Sequence, residues 1–134
     1  MYTMKQACQA TNLSYETLKF YCNEGLIPNV KRGPNNYRLF DEHDINWINS
    51  LSCLKRCGMS IQEMKEYLAL CLEGEKTIPE RMAILQKHKA SLKNKMKDLQ
   101  ASIDYIGWKE QFYTDVLEGN VPYHSDLIET EESS

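Results

Sequence analysis

The sequence predicts a mainly α protein in which two short helices and a hairpin precede two medium helices and one long terminal helix. Three observations carry this reading. Helix-start and helix-stop residues punctuate the first 73 residues, a Gly-Pro-Asn-Asn reversal interrupts them once, and apolar residues recur at alternating four- and three-residue steps between residues 78 and 106.

Met4, Ala7, Cys8 and Leu13 mark a short first helix, with Ala10-Thr11-Asn12 as the turn. Ser14 is a good N-cap for the second, because its hydroxyl can accept from the free N–H groups of the first turn. Leu13, Leu18 and Tyr21 or Cys22 give that helix a buried stripe, leaving Thr17, Lys19, Phe20 and Tyr21 to be shared between the core and an outward face. Gly25 suits a left-handed C-cap and Pro28 bars continuation, so the helix ends near Glu24. Two short helices joined this tightly are a helix-turn-helix. The next stretch, NVKRGPNNYRLF, reads as two short strands around a turn with the φ freedom a reversal needs. A basic turn elsewhere would be a solvated loop; directly after a helix-turn-helix it reads as a wing. Lys31, Arg32 and Arg38 lie near its two ends, suited to phosphate oxygens.

Asp41 can cap a third helix with Ile45, Ile48, Leu51 and Leu54 or Lys55 on its core face, ended by Gly58. Ser60 and Glu63 form a capping box for a fourth, whose stripe is Ile61, Met64, Tyr67, Leu68 and Cys71. Thr77 and Glu80 offer another box at the start of the long helix. Its seam, Ile78, Met82, Leu85, Lys89, Leu92, Met96, Leu99, Ile103 and Ile106, is a heptad pattern. At about 1.5 Å per residue this stretch would extend roughly 40 Å, with nothing in so short a chain to cover its stripe. A second copy is the simplest partner, so a homodimer is expected, with Lys89 as a polar break that can select register. The expected organisation is 1–73 winged helix-turn-helix DNA-binding domain, 74–77 linker, 78–118 dimerisation helix with a helical extension bearing Trp108, Phe112 and Tyr113, and 119–134 a flexible acidic tail.

The 134 residues carry a net charge of −3. Split at residue 60, the first part holds seven Lys or Arg against five Asp or Glu, and the second nine against fourteen. The halves are therefore +2 and −5, and the basic surplus sits with the proposed DNA contacts. No apolar run approaches the roughly 20 residues needed to span a bilayer, and MYTMKQACQA is no signal peptide, so a cytoplasmic location without membrane contact is expected. The five cysteines, 8, 22, 53, 57 and 71, are scattered and odd in number, which fits free thiols in a reducing compartment. His43, His88 and His124 are far apart and no nucleophile, metal or phosphate-loop pattern joins them; an enzyme is not expected, and no cofactor is implied.

TLKFYCNEGLIP and NNYRLFDEHDI resemble the TLRYYE-x-GLI-P and x-YR-x-Y-x-x-x-DI patterns of the MerR family of transcription regulators. The order of elements agrees from residue 1 to about 106. The resemblance implies major-groove contacts from Thr17, Lys19 and Ser14, a phosphate contact from Tyr21, wing contacts from Arg32, Tyr37 and Arg38, and a backbone contact from Lys55. Lys19 stands for a family Arg and loses its bidentate fork. Phe20 stands for a family Tyr and loses a hydroxyl. Cys22 replaces a family carboxylate, so the second helix needs other support.

The resemblance further implies a dimer, paired through an antiparallel coiled coil, that binds a promoter with an over-long spacer between its −35 and −10 elements. Bending and untwisting that DNA lets RNA polymerase engage both. Metal-sensing relatives carry Cys ligands after the dimer helix; this chain has none beyond Cys71, and His124 alone makes no soft-metal site. Drug-sensing relatives carry a large ligand domain for which this chain lacks the length. There remains Cys53, which aligns with the single Cys of the branch sensing reactive aldehydes, electrophiles or nitrosative stress. Sensing needs a partly exposed thiol in positive potential, which Lys55 and Arg56 can supply. The competing reading makes Cys53 a small apolar filler. Cys57, four residues on, sits awkwardly for a disulfide with it, and Cys8, Cys22 and Cys71 are expected in the core. An architectural or recombination-directing DNA-bending protein without an effector is the alternative function.

Overall fold

The computed structural model describes residues 1–130; residues 131–134, the end of the expected acidic tail, lie outside the described residues. The chain divides into two compact units, Met1–Ala90 and the residues from Ser91 onward.

The first unit begins with α1 (Met4–Thr11), closed at its start by a capping box between Thr3 and Gln6. It runs through Ala10 and Thr11, where the turn was expected, because the buried Thr11 hydroxyl donates to the Ala7 carbonyl at 2.7 Å. The reversal narrows to Asn12, the last of the three expected turn residues, in the left-handed conformation at φ 57. Helix α2 (Tyr15–Asn23) is capped by Ser14, ends at Glu24 and is turned by Gly25 at φ 74. That turn drives Leu26 and Ile27 into the core, and the indole of Trp47 donates to the Leu26 carbonyl at 2.7 Å.

Strands β1 (Lys31–Arg32) and β2 (Arg38–Leu39) pair antiparallel, with Lys31 opposite Leu39 and Arg32 opposite Arg38. Asn35 and Asn36 take the positive φ at the tip, 61 and 63. Gly33 has another role: a Cβ there would meet Leu39 Cδ1 at 2.6 Å, so the glycine lets the strands close over that side chain. Beyond the hairpin, the fully buried Phe40 bridges to Tyr2, whose hydroxyl donates to the Glu42 carboxylate.

Helix α3 (Glu42–Arg56) starts in a capping box between Asp41 and Asp44 and buries Ile45, Ile48, Leu51 and Leu54. Helix α4 (Ile61–Glu73) starts in the expected Ser60–Glu63 box and buries Met64 and Leu68. All of these but Leu68 close one core with Ala7, Leu18, Tyr21, Leu26 and Phe40. Gly74 and a 3₁₀ turn, Glu75–Thr77, lead into α5 (Ile78–Leu117). Thr77 does not serve the expected box with Glu80. It is buried in the turn, its hydroxyl within bonding distance of the Leu70 and Gly74 carbonyls and accepting from Arg81 Nε at 3.2 Å. The first turns of α5 belong to this unit: Ile84 packs on the core, and His88 Nε2 lies 3.0 Å from Glu63 Oε2.

The second unit holds the rest of α5. Trp108 and Phe112 stack with centroids 6.2 Å apart, and Lys109 Nζ lies 5.6 Å from the Trp108 ring centre and 5.7 Å from that of Tyr113. Met96, Leu99, Ile103 and Ile106 are all more than half exposed. Along α5 the apolar residues of the expected seam, Leu92 apart, are exposed in a single chain. Among the described residues, no helix is long and apolar enough to cross a membrane.

Candidate nucleic-acid interface

Helix α2 presents its side chains according to which of them the core takes. Leu18 and Tyr21 are buried, so Glu16, Lys19, Phe20 and Asn23 face outward. Ser14 Oγ accepts from the Thr17 N–H at 3.1 Å and donates to Thr17 Oγ1 at 2.9 Å, fixing the first turn and the Thr17 rotamer together. Lys19 is exposed, its ammonium 6.0 Å from the Tyr15 ring centre.

Tyr21 sits more deeply than a phosphate contact calls for: its ring is 1 % exposed and burial pushes its hydroxyl above the ordinary phenol range. What reaches the surface lines a shallow depression with Leu13, Thr17, Ser52, Lys55 and Arg56. The fold thus brings Thr17, Tyr21 and Lys55 together from α2 and α3. Arg56, which the sequence offers only as positive potential beside Cys53, adds a second cation here.

The wing carries the other group. Tyr37 is 70 % exposed. Arg32 donates to the Asn36 carbonyl at 2.9 Å across the hairpin tip, and Arg38 donates to Asn23 Oδ1 at 2.9 Å. Asn23 was missed in the sequence because its partner lies fifteen residues downstream. It ties the wing to the last turn of α2. With Cys22 in place of a carboxylate, α2 is held further by Glu24, whose carboxylate is 2.7 Å from Lys65 Nζ on α4. The half-buried Cys22 thiol is pushed up by desolvation, with Arg38 and Arg32 acting the other way.

Lys31 corrects an expectation. The sequence suits it to a phosphate oxygen, but its ammonium lies 2.9 Å from both Asp41 Oδ2 and Asp44 Oδ2. Asp44 is almost fully buried, and a buried carboxylate requires a partner. The hydrogen bond from Lys31, followed by one from the Asp44 N–H, holds the Asp41 carboxyl at about 2. Lys31 is therefore an internal strut between the wing and α3.

Cys53 is exposed, and Arg56 Nη2 lies 3.2 Å from its sulfur. It edges an apolar depression lined by Trp47, Leu54, Tyr67, Cys71 and Leu85. Cys8 and Cys22, partly buried, pack on the core; Cys57 and Cys71 are half-buried rather than enclosed. Among the described residues no group of three His, Cys, Asp or Glu side chains is arranged to hold a metal ion.

A helix-turn-helix that turns Glu16, Lys19, Phe20 and Asn23 outward, a wing pinned to its end and cations on both elements define a winged-helix DNA-binding protein. The sequence matches the MerR HTH family regulatory protein pattern over residues 2–71 and the MerR DNA-binding pattern over residues 47–108. The chain belongs to the MerR family of transcription regulators. It is 34% identical over 112 residues to an uncharacterized HTH-type transcriptional regulator of Haemophilus influenzae, spanning 84% of this chain and 83% of that protein. To the HTH-type transcriptional regulator AdhR of Bacillus subtilis it is 38% identical over 87 residues, spanning 65% of this chain and 62% of that protein. Among solved structures, HiNmlR, a MerR family regulator lacking the sensor domain and bound to promoter DNA, superposes with TM-score 0.74 at 32% identity over 87% of this chain and 93% of that one. A MerR family regulator from Listeria monocytogenes gives TM-score 0.78 at 32% identity over 89% and 90%.

Proposed function

We propose that the chain works as a homodimer, paired through an antiparallel coiled coil of α5, which grips two half-sites of a promoter with an over-long spacer and distorts it so that RNA polymerase, in the cytoplasm, engages both elements. The observation that carries this reading is the uncovered seam of α5, with Met96, Leu99 and Ile103 each over 60% exposed. An apolar stripe of that kind calls for a partner, and a second copy gives two DNA-binding units at one fixed separation. Ser14, Thr17, Lys19, Tyr21 and Lys55 act on one stretch of each half-site, with Arg32, Tyr37 and Arg38 gripping beside it. Ser14 acts chiefly by setting Thr17, and Tyr21 only through its surface edge.

Cys53 is the gate in this reading. Its exposure and the Arg56 guanidinium against its sulfur support nucleophilic attack by that sulfur. With an aldehyde, an S–C bond forms as the carbonyl π bond opens, and the proton given up by the thiol ends on the former carbonyl oxygen. The change alters the surroundings of Arg56 and Lys55, which line the depression beside Thr17.

Transcription in vitro tests both parts, comparing wild type with Cys53→Ser on a long-spacer promoter and on the same promoter shortened to ordinary spacing, with and without formaldehyde or methylglyoxal. The reading expects aldehyde-dependent activation by wild type on the long spacer only, absent in Cys53→Ser. Binding that ignores spacing and never activates would favour the architectural role.

A further inference from the structure

We propose that Phe20 is a specificity-determining residue that reads a thymine through its 5-methyl group. The assignment rests on the reading of α2 as the helix that enters the major groove. Phe20 is 44% exposed although it is a large apolar side chain on a helix whose core positions are filled by Leu18 and Tyr21. At 3.6 residues per turn it lies opposite that buried stripe, one turn beyond Glu16 and one turn before Asn23.

Two neighbours on this outward stripe define what it faces. Asn23 accepts from Arg38 at 2.9 Å, so the wing stands at the end of the same face that carries Phe20. A duplex touched by both wing and helix meets that face. Glu16, exposed and anionic, stands on the other side of Phe20 and repels phosphate oxygens. Lys19 on the same face answers that anion with a cation, and the Phe20 ring, which makes no hydrogen bond to a phosphate, is matched to base edges rather than to backbone. Among the groups a major groove displays, the thymine methyl is the apolar one, and a phenyl ring is a suitable partner for it. Phenylalanine has no hydroxyl to spend on a phosphate, and the ring gains by excluding water from a methyl it covers.

The test begins with duplexes enriched by the full-length wild-type protein from a randomised library. In the tightest sequence each thymine is replaced singly by deoxyuridine, which removes only the methyl. One thymine in each half-site is expected to show a loss of wild-type affinity of about three- to tenfold. In Phe20→Ala that thymine and its deoxyuridine counterpart bind alike, whereas Phe20→Leu, which keeps an apolar side chain, retains part of the discrimination. Phe20 is exposed, so circular dichroism of the variants should match wild type. The proposal is overturned if no thymine is methyl-sensitive, or if the sensitivity survives in Phe20→Ala. Enrichment of no sequence at all would instead overturn the DNA-reading role of α2, and the Phe20 assignment with it.

Discussion

Arg38 in β2 donates to Asn23 Oδ1 at the last turn of α2, a 2.9 Å bond that makes the position of the wing depend on the end of the helix. Both side chains are accessible, so Asn23→Ala should change stability by less than about 0.5 kcal/mol. DNA affinity should fall all the same, because the wing is no longer held in register with α2. Arg38→Ala should lose more, and only Arg38→Ala should flatten the dependence of log Kd on log salt, by about one unit of slope. Anisotropy titrations over a range of KCl concentrations separate the two; equal slopes in both variants would deny Arg38 a phosphate contact.

Lys31 gives the opposite pattern. Lys31→Met strands the Asp44 carboxylate, which is 3% exposed and then keeps only its bonds within the α3 capping box. Melting temperature should drop while the salt dependence of DNA binding, measured well below the melt, stays at the wild-type value. A flattened slope would return Lys31 to the DNA-contacting set.

Acid should weaken the same corner. The Asp41 carboxyl is held at about 2 in the folded protein by Lys31 and the Asp44 N–H, below its ordinary 3.8. A carboxylate depressed on folding contributes stability that is fully present above the unfolded value and is lost as pH falls through the folded one. Thermal melts between pH 5 and pH 2 should show wild-type stability declining below about pH 4. Asp41→Asn, already without that contribution, should decline less steeply across the same window.

The seam of α5 predicts the assembly state. Leu99→Glu introduces a charge at a position 64% exposed in the single chain, where a monomer tolerates it and a paired coil does not. Sedimentation velocity should give a dimer for wild type and a monomer for the variant, with the first unit still folded by circular dichroism. A dimer in both would place the contact elsewhere.

Thiol reactivity should rank by setting. Burial pushes the Cys8 and Cys22 thiols up, so both should alkylate slowly. Exposed Cys53, with Arg56 at its sulfur, should react first in an iodoacetamide time course followed by mass spectrometry. Arg56→Ala should slow it. If Cys8 or Cys22 reacts before Cys53, the gate assigned to Cys53 loses its chemical basis.

What was readable in advance was local. Ser14, Asp41 and Ser60 cap their helices because the donors they satisfy lie three residues away, and the apolar periodicity of α3 and α4 reports their core faces directly. Thr77 misled because the hydroxyl that signals a cap is taken up by carbonyls of the preceding turn and helix, a preference set by burial that a motif does not carry. Lys31 and Arg38 look alike in sequence. They differ because one is met by a carboxylate on α3 thirteen residues on and the other by an amide on α2 fifteen residues back, pairings created only when the hairpin closes. Tyr21 looks divisible between core and surface in the sequence, and in the fold it joins Leu18 and Leu26 in the core. The exposure of Cys53 follows from its phase outside the Ile48, Leu51 and Leu54 stripe; the approach of Arg56 to its sulfur does not.

The chain has two tryptophans, and the fold assigns one to each unit. Trp47 is partly buried and donates to the Leu26 carbonyl just after the Gly25 turn, whereas Trp108 is 62% exposed. Their emission should therefore differ in colour, the former blue-shifted and the latter close to that of indole in water. Trp108→Phe leaves an intrinsic optical reporter on the loop that ends α2, and engagement of DNA can be followed there in real time without attaching a dye.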